Sequence, residues 1–594
     1  MDKIYIGKRR KIMKALKRIA TCILAVVMMV AAFACSPVPP GGVTPGGDID
    51  DKKTQIYVYV YNGGYGSAWL DEAKKRFEEI HKNDSYEEGK TGVQVYINDS
   101  SKSPFKNMQN TIATGTDEIF FGEGGYYYIL KNAGLLQDVT DVVTDIMDEY
   151  GESKSIEDKL TEEQKNYFGI VESDNETHYY GLPHYSSQFG FIYNVDLFDE
   201  MGYYVKKGTS GKDAQFIKKT QGELAYGPDG RTGIANGINY SEDDGLPATY
   251  EEFFTLLALM AEDQVVPVTW CGYAYQYYLQ NMRLSVAADA MGLDEMMINY
   301  TLNGTTNTLC TVSADGTINR LPSEDIVPVS AYKLAQQEGW YHSLRFLDEL
   351  VMNEDYYHTL AFNQGYYHTD AQEDFINAGK DGVTKEMAIL MDGTWWESEA
   401  TPAYNRMVQS MGDEYAKTKR NFKWMPMPKP TQAHVDQAAT QDKPYTVYDE
   451  NEPLCFIRSG VAEWKLPLVK EFFKFLHTDV SLREYTVTTN SLRSFDYTLT
   501  EDDLSKMTTF GRSLVDLKTK ANMVFPYSNA KAYVEKQTAY SSGAYLTNTI
   551  VNATTYSAWV NAFMEKGVSP EDYFNGLYTY SKEFPIVNIS GDAL

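Results

Sequence analysis

The chain has 594 residues, 43% hydrophobic and 23% charged, a globular composition on a scale too large for one hydrophobic core, so at least two lobes are expected. Its formal charge is −28, from 54 Lys+Arg against 82 Asp+Glu. The first 34 positions hold eight basic residues and one acidic residue, so the remainder stands at 46 against 81, or −35. Such a surface repels nucleic acid and anionic lipid headgroups and argues against both as partners.

The chain opens with a basic cluster, Lys8 to Arg18, followed by an apolar stretch, Ile19 to Phe33, that ends in small residues. This reads as a secretory signal. The run Ala32-Phe33-Ala34-Cys35 resembles the lipobox of bacterial lipoproteins, which implies a leader over residues 1–34 and a lipid-modified Cys35. Pro37 to Asp51 is rich in Pro and Gly and reads as a flexible tether, so residues 35–53 are assigned no fold. Beyond Cys22 and Cys35 only Cys271, Cys310 and Cys455 remain, an odd and sparse set that argues against a disulfide framework or a cysteine metal site.

Ile56 to Tyr61 is a β-rich run that leads into Asn62-Gly63-Gly64-Tyr65-Gly66 and a helical pattern through Trp69, Leu70, Ala73, Phe77 and Ile80. Strand, glycine turn and helix start in that order bring backbone N–H groups toward a ligand's oxygen atoms, which makes Asn62 and Tyr65 binding candidates. The glycines are too closely bunched for a dinucleotide fingerprint, and no basic residue follows as in a phosphate loop. Val93 to Ile97 is a second strand. Glu118 to Phe121 is a third, and it runs into a loop carrying Glu123 and Tyr126, two further candidates. Val265 to Val268 is another strand, followed by Trp270 and Tyr273 and then by a helix with Tyr275 and Tyr278. Trp270 and Tyr273 are candidates from the second lobe, with packing of the strand-to-helix corner as the alternative.

Met387 to Met391 is an unbroken apolar run, too short for an independent helix, and reads as a strand buried on both faces of a parallel sheet. Asp392-Gly393 ends it. Ligands collect beyond the carboxyl ends of strands in open α/β sheets, so Asp392, Thr394 and Trp395 stand where a ligand is met. Neighbouring indoles point different ways, and Trp395 is therefore assigned to the ligand and Trp396 to the core. A wide apolar ring face with one N–H suits the C–H face of a sugar. The 46 tyrosines agree with a polar-ligand interface.

In order along the chain, Thr116 to Phe121 with Ala133-Gly134-Leu135-Leu136, Tyr180-Gly181-Leu182-Pro183 with Phe191 to Asn194, Pro247 to Phe253, Met387 to Trp395, Met425 to Pro428, and Val469 to Leu476 resemble the family 1 extracellular solute-binding proteins of carbohydrate-importing ABC transporters. The likeness recurs from about Thr54 to Leu476. It implies an α/β fold of periplasmic-binding-protein type, with two discontinuous lobes joined by a hinge: residues 54–185 plus 455–510, and residues 186–454 plus 511–594 with an insertion at 203–246. The first crossing is expected at Leu182 to Gln188, with Gln188 at the ligand, and the second at Leu454 to Ser459. The third is expected around 505–520, where no marker stands. The implied function is capture of a carbohydrate, an oligosaccharide by expectation, and delivery to ABC permease subunits by a monomer held at the outer face of the cell membrane through Cys35.

No catalysis, cofactor or metal is expected. Zinc, EF-hand and nucleophile-elbow patterns are absent, the eight histidines are scattered, and His178 and His184 read as structural. Two alternatives stay open. A secreted glycoside hydrolase would need two cleft carboxyl groups, for which Glu123 and Asp392 are available. A peptide- or polyamine-binding receptor would keep the fold and change the pocket.

Overall fold

The computed structural model describes residues 49–61, 63–99, 105, 108–124, 127–217, 245–380, 382, 384–449, 453–527 and 547–586. The leader, Cys35, Asn62, Tyr126 and most of the 203–246 insertion lie outside the described residues. Residues 48–594 form one compact unit.

The strands that position the site are β1 (Thr54–Val60), β2 (Val93–Asn98), β3 (Ile119–Gly122), β4 (Leu182–Pro183), β5 (Phe189–Asn194), β6 (Val266–Thr269), β7 (Met387–Gly393), β8 (Phe422–Met425), β9 (Tyr445–Tyr448), β10 (Leu454–Ile457) and β11 (Ala521–Val524). They build two main sheets. The first has the order β2-β1-β3-β10-β4, and β1 pairs in parallel with β2 and β3. Here β10 runs antiparallel to both of its neighbours, β3 and β4. The second has the order β8-β5-β7-β6, and β9 and β11 form a separate parallel pair.

The apolar run expected around Met387 is buried at every position of β7, as a central strand requires. Its sheet is mixed, not parallel: β7 lies parallel to β6 but antiparallel to β5. The antiparallel neighbour follows from topology, because β5 enters this sheet directly from β4 of the other, without a helical crossover to turn it around. The strand also continues through Asp392 and Gly393, two residues past the apolar run.

Helices cover the sheets. The helix Leu70–Ile80 buries Leu70, Ala73 and Phe77, the spacing read from the sequence. The helix Tyr250–Glu262 opens on a capping box in which the Thr249 side chain accepts from the Glu252 N–H and the Glu252 side chain accepts from the Thr249 N–H. The same Glu252 also accepts from the backbone N–H of Gly211, which ties the described start of the insertion to this helix. Residues 303–326 form two short antiparallel ribbons, Gly304–Thr306 with Glu324–Ile326 and Cys310–Val312 with Ile318–Arg320.

Three passages join the parts of the molecule. Residues 184–188 link β4 of the first sheet to β5 of the second, and Asp449 and Pro453 flank the passage from β9 of the separate pair to β10 of the first sheet. The third lies near Met507 and Thr508, between a helix at Glu501–Lys506, which packs on Asp479–Thr489, and a helix at Thr509–Lys520, which packs on β8. The connections are stitched side by side. Gln188 pairs with Asp449 and Tyr185 with Arg493, and the Asp449 carboxylate accepts from the backbone N–H of Ser187 at 2.7 Å. Burial pushes the Asp449 carboxyl up to about 7.

Candidate functional site

The ends of β1, β3 and β7 open on one cleft of about 660 Å³, lined by Tyr61, the Gly63–Gly66 turn and Glu123 on one side and by Tyr277, His368, Trp395 and Glu399 on the other. Its two walls therefore come from the two sheets. The volume falls in the range of small-molecule sites.

The glycine turn can approach the opposite wall because it lacks side chains. Gly64 has φ +86°, and a Cβ there would stand 3.0 Å from the Trp395 Cβ, so both the conformation and the contact require glycine. Tyr65 is buried at the floor. Its hydroxyl lies 3.1 Å from Thr394 Oγ1 and accepts from Ser491 Oγ at 3.2 Å, which joins β1's turn to the residue after β7. Burial holds the Tyr65 phenol far above its usual range, so it stays protonated.

The adjacent indoles separate as the sequence implies. Trp396 is 0% exposed and packs among Phe375, Tyr404, Phe422 and Phe510. Trp395 is half-buried, sits at the mouth of a short helix, Trp396–Glu399, and presents its remaining surface to the cleft.

Glu123 lines the cleft and is held by two phenols: Tyr185 donates to its Oε2, and Tyr61 also bonds to it. Burial raises its carboxyl above the usual value, against the pull of both hydroxyls. Asp392 is different. It is 1% exposed and lies behind the cleft wall, accepting from Gln372 Nε2 (3.1 Å) and from the Gly393 N–H (2.7 Å). Burial first and the Glu399 charge second push it up to about 7. Gln372 Nε2 also donates to Glu399 at 2.8 Å, and Glu399 in turn pairs with His368 at 3.3 Å, which raises the imidazole. Asp392 thus supports Glu399 and His368, which do line the cleft.

Three other sequence candidates stand elsewhere. Trp270 is 0% exposed and fills a core corner between Tyr357 and Phe362, because the backbone leaving β6 turns the side chain inward. Tyr273 is 49% exposed and packs at a tilt against Tyr367 with centroids 4.8 Å apart, outside the cleft lining. Gln188 is buried and donates to Ser186 Oγ and Asp449, facing a separate cavity of about 420 Å³ shared with Arg493, Phe495 and Lys518. Tyr61, Tyr277, His368 and Glu399 were not read from the sequence. Tyr61 ends the first strand and Glu399 lies one helical turn after Trp395, so position relative to those markers was the available signal.

Among the described residues one group has the donor set of a metal site: Glu338, His342 and His434. It lies away from the cleft. Cys271, Cys310 and Cys455 are free and buried, and no helix among the described residues is long and apolar enough to cross a membrane.

The fold is similar to that of a solved structure. The apo form of RafE from Streptococcus pneumoniae superposes with a TM-score of 0.50 at 11% identity, over 90% of this chain and 99% of that one. RafE in complex with raffinose (TM-score 0.49, 11% identity, 89% and 99%) and a chitin oligosaccharide binding protein (TM-score 0.48, 14% identity, 90% and 99%) are further similar structures. The sequence model of the bacterial extracellular solute-binding protein family matches residues 62–232. No curated protein sequence matches the chain.

Proposed function

We propose that this chain is the extracellular substrate-binding component of an ABC importer that captures a carbohydrate, an oligosaccharide by preference, in the cleft between its two sheets. The observation that carries the reading is the half-buried Trp395 at the end of β7, set across from Tyr61 and Glu123 at the ends of β1 and β3. An aromatic face takes the apolar side of a sugar ring, and the carboxylates of Glu123 and Glu399 accept from its hydroxyls. The family match over residues 62–232 supports it.

The lobes are residues 54–185 plus 455–510 and residues 186–454 plus 511–594, and the three connections serve as the hinge. A ligand touching both walls favours the closed form and shifts the population toward it. The role is capture, not catalysis. Asp392 lies behind the wall, hydrogen-bonded on both sides, so it is not offered to a bound glycoside as a partner for Glu123. Anchorage is through a lipid on Cys35; mass spectrometry of the native N-terminus tests it, and an unmodified Cys35 on a cleaved protein contradicts it.

A thermal-shift screen of oligosaccharides, peptides and polyamines tests the ligand class, since a ligand of the folded state stabilises it by mass action. An oligosaccharide that raises the melting temperature and is recovered intact supports the reading. Stabilisation by spermidine or peptides alone, or cleavage of the glycan, contradicts it.

A further inference from the structure

The helix Glu338–Met352 places Glu338 and His342 one turn apart on the same face, both buried, and the helix Gln432–Ala438 brings His434 against them. One potential ligand atom from each of the three lies within 4.8 Å of the others. His342 Nε2 and Glu338 Oε1 are already 3.1 Å apart. Ligand atoms on a tetrahedral zinc ion stand roughly 3.4 Å from one another, given bonds of about 2.0 to 2.1 Å, so small side-chain rotations close the remaining gap. The two imidazoles meet at 84° with centroids 5.3 Å apart, converging instead of stacking.

His434 Nδ1 lies 2.8 Å from Thr431 Oγ1, which orients the ring and leaves Nε2 for a metal, the outer-partner arrangement of ligating histidines. The three groups line a cavity of about 130 Å³ together with Asp289, whose Oδ1 is taken by Lys429 at 2.8 Å and whose buried Oδ2 has no hydrogen-bond partner. Arg320 donates to both Glu338 oxygens, Oε1 at 3.1 Å and Oε2 at 2.8 Å, from a short ribbon; its side chain is 64% exposed, and a bound metal would displace it.

We propose that Glu338, His342 and His434 form a binding site for one divalent transition metal of zinc type, completed by water in the cavity. Two imidazoles and one carboxylate are borderline ligands that suit zinc better than calcium or magnesium. The metal would staple the 429–441 excursion to the long helix at Glu338. This site is remote from the cleft and independent of the ligand assigned there.

The test is equilibrium dialysis of the purified, EDTA-stripped protein against Zn2+, with metal counted by elemental analysis, repeated for H342A and H434A. The site predicts one Zn2+ per chain, and each variant should lose more than the about 10- to 100-fold in affinity that removal of an outer partner costs. Co2+ should give the visible bands of a low-coordinate site in the wild type and in neither variant. Zn2+ should raise the melting temperature of the wild type alone, while the metal-free wild type and both variants melt alike, which separates lost ligation from misfolding. Trp395→Ala should bind Zn2+ as the wild type does. Absence of stoichiometric Zn2+, or equal binding by wild type and both variants, overturns the proposal.

Discussion

Glu123, one residue beyond β3, and Asp392, near the end of β7, both stand where a buried strand runs out, yet only Glu123 lines the cleft. Glu123 is met by phenols that reach it from the first sheet's own strand end and from the connection at Tyr185. Asp392 is still inside its strand, paired across to Gly190, so its side chain points into the packed layer beneath Gln372 and Tyr278. Two residues of difference in where the strand ends convert a cleft-facing acid into a buried support. The same contrast holds for the indoles that follow: Trp395 stands at the turn and keeps exposed surface, and Trp396, one position on, begins a helix and is enclosed.

The largest effect expected from breaking this contrast is on stability. Trp396→Ala empties a fully enclosed space and should cost about 3 to 5 kcal/mol in chemical unfolding, while affinity in the folded fraction stays within a few-fold of wild type. Trp395→Ala should do the reverse. Losing the indole over a sugar face forfeits about 2 to 3 kcal/mol of binding, a drop of roughly 30- to 150-fold measured by calorimetry, with little change in melting temperature. Tight binding by the Trp395 variant together with a large loss of stability would interchange the two roles.

Glu123→Gln keeps the shape and removes the charge from a hydrogen-bonding acceptor, which should weaken glycan binding by about 1.5 kcal/mol. Asp392→Asn should leave affinity closer to wild type and change the pH dependence of stability instead. The Asp392 carboxyl is held at about 7 in the folded protein, above its unfolded value near 4. The folded state therefore binds the extra proton between those limits. Stability from this group is full below about pH 4 and is lost as pH rises toward 7, at up to about 1.4 kcal/mol per pH unit. Glu397 and Asp449, buried and also held at about 7, add slope of the same sign. The difference between wild-type and Asp392→Asn unfolding free energies across pH 4 to 8 isolates the one group; parallel curves would show that Asp392 titrates normally. The smallest effect belongs to Tyr273→Ala, which removes an exposed ring outside the cleft lining and should change affinity by less than about twofold.

Periodicity and turn chemistry made much of the fold legible. The β7 run, the spacing of Leu70, Ala73 and Phe77 and the split between Trp395 and Trp396 all follow from local rules. Depth did not follow. Trp270 and Trp395 carry the same signal, an indole just past a strand, but Trp270 meets Tyr357 and Phe362 from residues about 90 positions away, and no local pattern reports that they close over it. Gln188, expected at the ligand, faces the other cavity, since Asp449, some 260 residues distant, claims its amide. The histidine pair at His342 and His434 was invisible for the same reason: the two rings are 92 positions apart and meet only through packing of two helices.

The most direct test of the central reading is a crystal structure with the tightest-binding glycan. The account predicts a sugar ring laid against the Trp395 indole, with hydroxyls donating to Glu123 and Glu399 from opposite walls of the cleft. A glycan seated instead in the cavity behind the connections, beside Gln188, Asp449 and Arg493, would contradict it.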